Sequence, residues 1–332
     1  MFLSILDSLE IPTQGGSSQT FRNAIELAQL GDELALRRYW LTEHHGFPTE
    51  ACPAPDILAG AIAAATSRIR VGVGGMLLNR HSPYRIAQSF RTLAALYPGR
   101  IDLGIGRSAP GINAERVFVR ETGTGQYDHA ERVGELLHWL STRTSDDDTF
   151  AGVRILPDQP AGPSPWLLAA SLGTGELAAA LGLPLAASGF HRPEITAEIA
   201  RTYSAGFRPS EFEAGVSEPA SLVAVICIAA ETQEEAEHLA MPMRMLLDLR
   251  QHHRVSLPSM PTVEEAMAHF GGMVPAEQED WPMRVVGSYA QVADKLRRMG
   301  RESGVDEVIV RPFTTNVEAR HAMFRTLAPM LA

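Results

Sequence analysis

Glu43, His44 and His45 stand together after the apolar run Tyr39–Thr42, and they are the residues of this sequence best suited to moving protons. An imidazole titrates near neutrality, with an ordinary pKa of about 6.5, so a histidine here can act as general acid or base. Neighbours on an extended strand point to opposite faces, so His44 and His45 do not both look into one pocket. A pair of hydrogen-bonded structural histidines is the alternative reading. A metal site would need further ligands and the His-Glu-x-x-His spacing is absent, so no metal is expected.

Three other segments carry possible chemistry. Gly104-Ile105-Gly106-Arg107 follows a strand-like run and invites a dinucleotide reading. Pro110 falls where the helix would open, and no second strand ending in an acid follows about twenty residues later. Arg107 suits a single phosphate better, as a forked cation. Ser171-Leu172-Gly173-Thr174 opens a helix, where hydroxyls and free N–H groups either bind an anion or cap the helix. With Arg107, the residues Ser171, Gly173 and Thr174 make a candidate cup for one phosphate, which points to a mononucleotide such as FMN. Gly74-Gly75 ends another strand with bare main chain, either for close packing or as a wall for a flat ring. Elbow, Walker and kinase signatures are absent, so acyl and phosphoryl transfer have no motif support.

The elements that must position these residues alternate. Strand-like runs fall at Leu3–Asp7, Tyr39–Thr42, Ile69–Gly74, Ile101–Ile105, Trp166–Ala170, Leu183–Ala187, Ser221–Ile228 and Glu307–Arg311. Several are continuously apolar, as in parallel strands covered on both faces. Helical spacing fills the intervals, beginning with Thr20–Ala35 and ending with Tyr289–Ser303 and Val317–Leu331. The pattern predicts a (β/α)8 TIM barrel over residues 1–332 as one domain, with a doubly wound open sheet as the alternative. Glu43, Arg107, Ser171 and His191 all follow strands, which favours the barrel because its carboxyl face carries the chemistry. Residues of about 250–286, with His252-His253 and Gly271-Gly272, read as an inserted loop with a short helix between units seven and eight. The stretch Thr144–Pro165, with Asp146-Asp147-Asp148, reads as a solvated surface excursion.

The chain has 332 residues, 45% hydrophobic and 20% charged, and a formal net charge of -10. That balance argues against a binder of nucleic acid or of anionic membrane surfaces. Cys52 and Cys227 make no disulfide framework, which fits a reducing, cytoplasmic setting. Asp7 interrupts the first apolar run too early for a signal peptide, and no apolar stretch reaches the roughly 20 residues that span a bilayer.

Taken together, these segments resemble the bacterial luciferase-like flavin-dependent monooxygenases. The resemblance is carried by Tyr39-Trp40-Leu41-Thr42-Glu43-His44-His45, by Thr66-Ser67-Arg68-Ile69-Arg70-Val71-Gly72, by Pro98-Gly99-Arg100-Ile101-Asp102-Leu103-Gly104-Ile105-Gly106-Arg107 and by Val286-Gly287-Ser288. It implies a TIM barrel, usually a homodimer, that binds reduced FMN delivered by a separate NAD(P)H-dependent flavin reductase. Dioxygen then forms a flavin 4a-hydroperoxide, which oxygenates a small organic substrate such as an aldehyde, ketone or natural-product intermediate. By position, His44 resembles the family's active-site histidine and Glu43 a residue near the flavin ring, the two catalytic candidates. Gly74-Gly75 falls where members often have a non-proline cis peptide beneath the ring. Arg107, Ser171 and Thr174 match phosphate contacts, and His191 a pocket wall. Gly106 and Ala170 depart from the cysteine and glutamate of luciferase, and Arg132 is a possible second phosphate ligand. A deazaflavin-dependent hydride transferase and a non-catalytic flavin-binding subunit remain alternatives.

Overall fold

The computed structural model describes residues 1–107, 114, 117–118, 128–141, 152–158, 162–276 and 281–332. Pro110 and Asp146-Asp147-Asp148 lie outside the described residues.

In chain order the strands are β1 (Phe2–Asp7), β2 (Arg38–Leu41), β3 (Arg70–Leu77), β4 (Ile101–Gly106), β5 (Ser164–Ala169), β6 (Leu185–Ser188), β7 (Ser221–Ala230), β8 (Arg284–Ser288) and β9 (Glu307–Pro312). Each of β1 to β7 pairs in parallel with the next, β7 pairs with β9, and β9 pairs with β1. Eight parallel strands thus close into a (β/α)8 barrel. The ninth, β8, has no counterpart in the sequence reading. Ile226 pairs with Arg311 of β9 on one edge and with Arg284 of β8 on the other, so β8 occupies the edge of β7 that β6 leaves after Ala224. Its pairing depends on that edge of β7, which no local pattern in the sequence reveals.

The helices are α1 (Gly16–Glu33), α2 (Pro55–Ala65), α3 (Pro83–Leu96), α4 (His129–Leu140), α5 (Leu172–Leu181), α6 (Thr196–Gly206), α7 (Gln233–Asp248), α8 (Val263–Phe270), α9 (Tyr289–Ser303) and α10 (Val317–Leu331). Between α7 and β8 lie a π-helical turn, Leu249–His253, and then α8. Local chemistry sets the ends. Ser82 accepts the Arg85 N–H ahead of Pro83 at the start of α3, and Ser171 accepts the Thr174 N–H at the start of α5.

Alternation along the strands builds two cores. Leu6, Trp40, Trp166, Ala186, Leu222, Ala224 and Ile309 point inward and fill the barrel, while alternate residues such as Ile5, Tyr39, Leu167 and Val223 pack against the helices. Two residues earlier on their strands, Ser4, Arg38 and Glu307 form a polar layer beneath with Asp102. Arg38 donates to Asp102 Oδ2 at 2.8 Å and to Glu307 Oε1 at 2.8 Å. Ser4 Oγ donates to the same Glu307 oxygen at 2.7 Å, Trp40 Nε1 to Asp102 Oδ2 at 2.9 Å, and Arg70 Nε to Asp102 Oδ1 at 2.9 Å. A buried charge is tolerable only when paired and hydrogen-bonded in this way. This layer closes the amino end of the barrel.

Candidate active site

The carboxyl end is open. A cavity of about 520 Å³ enters there, floored by Leu6, Trp40, Ala186 and Ile309 and rimmed by residues two positions further along the strands, among them Thr42, Ser188 and Arg311. Of the residues singled out from the sequence, Glu43, His44, Gly74, Gly75, Arg107, Ser171, Thr174 and His191 all line it. Gly173 does not. It is exposed in the first turn of α5, and a side chain there would meet open space.

One wall is bare main chain. The Gly74–Gly75 peptide is cis, and the β3–β4 register slips between Val73 and Met76. A Cβ on Gly75 would lie 2.7 Å from Gly104 O, and one on Gly74 would lie 2.8 Å from Trp40 Cε3. The Trp40 ring and the Gly104 main chain therefore demand glycine at 74 and 75, and the same packing leaves a side-chain-free surface facing the cavity. Gly106 and Ala170 line the same cavity without bulk or charge.

Glu43 fixes this wall from below. Its Oε2 accepts the Leu77 N–H at 2.7 Å, just past the glycine pair. Its Oε1 accepts from His45 Nε2 at 2.5 Å and His81 Nε2 at 2.6 Å. Burial pushes the Glu43 carboxyl up, but these hydrogen bonds and the His81 charge outweigh it and hold it at about 2. Burial pulls the His81 imidazole down, yet the hydrogen bond and charge of Glu43 carry it above the ordinary value. Glu43, His45 and His81 place three ligand-type atoms within 4.8 Å of one another. Each imidazole there donates to one carboxylate oxygen, so hydrogen bonding accounts for the group.

His44 turns the other way. Its ring lines the cavity, and its Nδ1 lies 2.9 Å from Thr42 Oγ1 and 3.0 Å from Glu50 Oε2. Nδ1 is hydrogen-bonded to Thr42, and the Glu50 carboxylate beside it acts on the ring through its charge. Glu50 reaches this position because Gly46, at φ 70, turns the chain back and His44 N–H donates to Cys52 O at 3.1 Å. Burial raises the Glu50 carboxyl, but the pairing with His44 and the charges of Arg311 and Arg250 bring it to about 2. Arg311 is shared, lying 2.8 Å from Glu10 Oε1 and 3.8 Å from Glu50 Oε1.

At the far end of the cavity, exposed Arg107 faces the start of α5, where Ser171 Oγ and Thr174 Oγ1 are 3.0 Å apart. Guanidinium, hydroxyls and free helix N–H groups together suit a phosphate dianion. Arg132 is committed elsewhere, donating to the carbonyl oxygens of His81 and Leu78. On the remaining side, Ser188 Oγ lies 2.6 Å from His191 Nδ1. Burial, with Arg311 and His44 nearby, keeps the His191 imidazole below its ordinary value.

The model of the luciferase-like monooxygenases matches residues 1–307. The chain belongs to that family. A luciferase-like monooxygenase of Escherichia coli (strain K12) is 35% identical over 324 residues, 96% of this chain and 93% of the relative. The crystal structure of apo-MsnO8 superposes with a TM-score of 0.87 at 34% identity, covering 99% of this chain and 97% of that one. A more distant likeness speaks for the fold alone. It is the oxygenating constituent of 3,6-diketocamphane monooxygenase from Pseudomonas putida, a type II Baeyer–Villiger monooxygenase solved with FMN. That chain has a TM-score of 0.68 at 18% identity, covering 99% and 98% of the two chains.

The protein is therefore an oxidoreductase of the general flavin-monooxygenase kind. Sequence reasoning found the local motifs of this luciferase-like monooxygenase and missed Glu50, Glu10, Arg311 and Arg250. Glu50 alone had a usable signal, since a glycine at 46 returns the chain and an acid follows within one short loop. Among the described residues, no helix is long and apolar enough to cross a membrane.

Proposed function

We propose that this luciferase-like monooxygenase binds reduced FMN in the barrel mouth and oxygenates a small organic substrate there. One observation carries the reading: a side-chain-free glycine wall, a cup of Arg107, Ser171 and Thr174, and the His44 ring all line a single cavity. The fit has two parts. The wall accepts a flat ring because packing forbids side chains at Gly74 and Gly75, and the cup offers donors to one phosphate. Solved barrels of this fold include one in complex with FMN and one with F420, so the choice of FMN rests on the cup for a single phosphate.

When bound, the reduced flavin supplies activation of dioxygen and transfer of one oxygen atom. The chain does the rest. Arg107, Ser171 and Thr174 would hold the phosphate. His44 gives or takes a proton at Nε2, the ring nitrogen left free by Thr42 and Glu50. Glu43, with both oxygens occupied, positions the wall instead of exchanging protons. Trp40, Leu6 and Ile309 exclude water from the cavity floor, and Ser188, Phe190, His191 and Arg311 would face the substrate. In line with the family resemblance, a separate NAD(P)H-dependent reductase delivers the flavin by diffusion. Exposed Ile57 on α2 and Leu96 on α3 supply apolar surface for a homodimer.

The test uses the purified chain under anaerobic conditions. It should bind reduced FMN, with tryptophan quenching as the signal, and should not oxidise NADH alone. On mixing with oxygenated buffer, His44→Ala should change the rate of flavin reoxidation while leaving flavin affinity intact. Tighter binding of a reduced deazaflavin than of reduced FMN would overturn the assignment, as would unaltered reoxidation in His44→Ala.

A further inference from the structure

We infer that Glu50 is a positioning residue for His44: it fixes the imidazole as the Nδ1–H tautomer and so turns a lone pair at Nε2 toward the cavity. The inference rests on the proton-transfer role proposed above for His44. Thr42 alone leaves the tautomer undecided, because a hydroxyl at 2.9 Å from Nδ1 can either donate or accept. A carboxylate can only accept. With Glu50 Oε2 at 3.0 Å, a bare Nδ1 lone pair would face a negative charge, whereas an Nδ1–H is attracted to it.

The surroundings commit Glu50 to this task. Its side chain is 4% exposed, and among the described residues Oε2 has no hydrogen-bond partner of its own. The other oxygen, Oε1, lies 3.4 Å from Arg250 Nη1 and 3.8 Å from Arg311 Nη2. Two cations on one oxygen keep the group ionised and leave the second oxygen aimed at the ring. Arg250 comes from the π-helical turn Leu249–His253, and its guanidinium stacks over Phe47, 5.0 Å from the ring centroid, while Phe47 packs edge-on to His44. The segment between α7 and β8 thereby reaches the active histidine through one arginine and one carboxylate. In hydrolytic triads the acid performs the same service for its histidine, and replacing that acid by its amide installs the wrong tautomer at large cost in rate.

The experiment is nitrogen-15 NMR of histidine-labelled protein, with the His44 signals assigned by their loss in His44→Gln. Wild type should show an Nδ1–H, Nε2 lone-pair tautomer. Glu50→Gln can donate its amide to Nδ1 and should shift the ring toward Nε2–H. Reoxidation of bound reduced FMN should then slow by a factor on the order of 10², with FMN affinity unchanged. An Nε2–H tautomer in wild type overturns the inference without any variant, as does a Glu50→Gln spectrum with the tautomer retained. Should Glu50→Gln fail to fold, Thr42→Val removes the hydroxyl and leaves Glu50 alone beside Nδ1; the Nδ1–H tautomer should persist there, and a shift to Nε2–H overturns the inference. A shifted tautomer with an unchanged reoxidation rate leaves the hold of Glu50 on the ring standing and overturns the proton-transfer role of His44.

Discussion

Two polar clusters sit inside the same barrel, one at each end, and are built from the same residue types. At the amino end, Arg38, Arg70 and Trp40 donate to the two oxygens of Asp102, Ser4 and Arg38 donate to Glu307 Oε1, and Arg37 lies 3.4 Å from Glu307 Oε2; the Asp102 and Glu307 side chains are 0% and 2% exposed. At the carboxyl end, Oε2 of both Glu10 and Glu50 lacks a hydrogen-bond partner among the described residues. There the His44 side chain is 26% exposed, toward the cavity. Burial raises the Glu10 carboxyl above its ordinary value despite Arg311. The difference is one of closure. A satisfied network locks strands together, and one left short of partners retains groups able to exchange protons or meet a ligand.

The sharpest way to break this comparison is to remove one charge from each cluster. Asp102→Ala leaves Arg38 buried without its main partner and should cost about 3–5 kcal/mol, read from urea denaturation. His44→Ala takes one partner from Glu50 but leaves Arg250 and Arg311 beside it, so it should cost clearly less stability than Asp102→Ala while altering flavin reoxidation by a factor on the order of 10². Equal stability losses in the two variants would erase the distinction. A smaller effect comes from pH. Glu43 and Glu50 titrate at about 2 in the folded protein, against an ordinary 4.5. Their contribution to stability is complete above pH 4.5 and should drain away as pH falls toward 2. Glu43→Gln should flatten that acid limb in a pH series of thermal melts. Smallest of all, Ser171→Ala removes one helix cap and should cost about 1 kcal/mol, together with a measurable loss of FMN affinity that an ordinary cap would not produce.

The comparison also separates what sequence made visible from what it hid. Barrel topology was readable because parallel strands buried on both faces leave continuous apolar runs, as in Ser221–Ala230. Glu43, His44, Arg107, Ser171 and Thr174 were readable because each follows its strand within a few residues, and Gly74-Gly75 because bare main chain interrupts an apolar strand run. The amino-end layer was not, although Arg38, Asp102 and Glu307 lie in segments read as strands or next to them. Its meaning depends on strand register, and Arg38 and Glu307 are 269 positions apart. Arg311 is likewise 301 positions from Glu10 and became a site residue only on closure of the ring by β9. Strand β8 escaped notice because its pairing is set by the free edge of β7, a property of the assembled barrel.

Flavin placement is the central claim, and anaerobic titration with two ligands tests it most directly. Reduced FMN and reduced riboflavin share the ring and differ in the phosphate, so their affinity ratio isolates the cup of Arg107, Ser171 and Thr174. Charge-assisted hydrogen bonds are worth about 1.5–3 kcal/mol each, so wild type should prefer reduced FMN by more than about tenfold, and Arg107→Ala should lose most of that preference. Equal affinity of wild type for the two flavins would contradict the account.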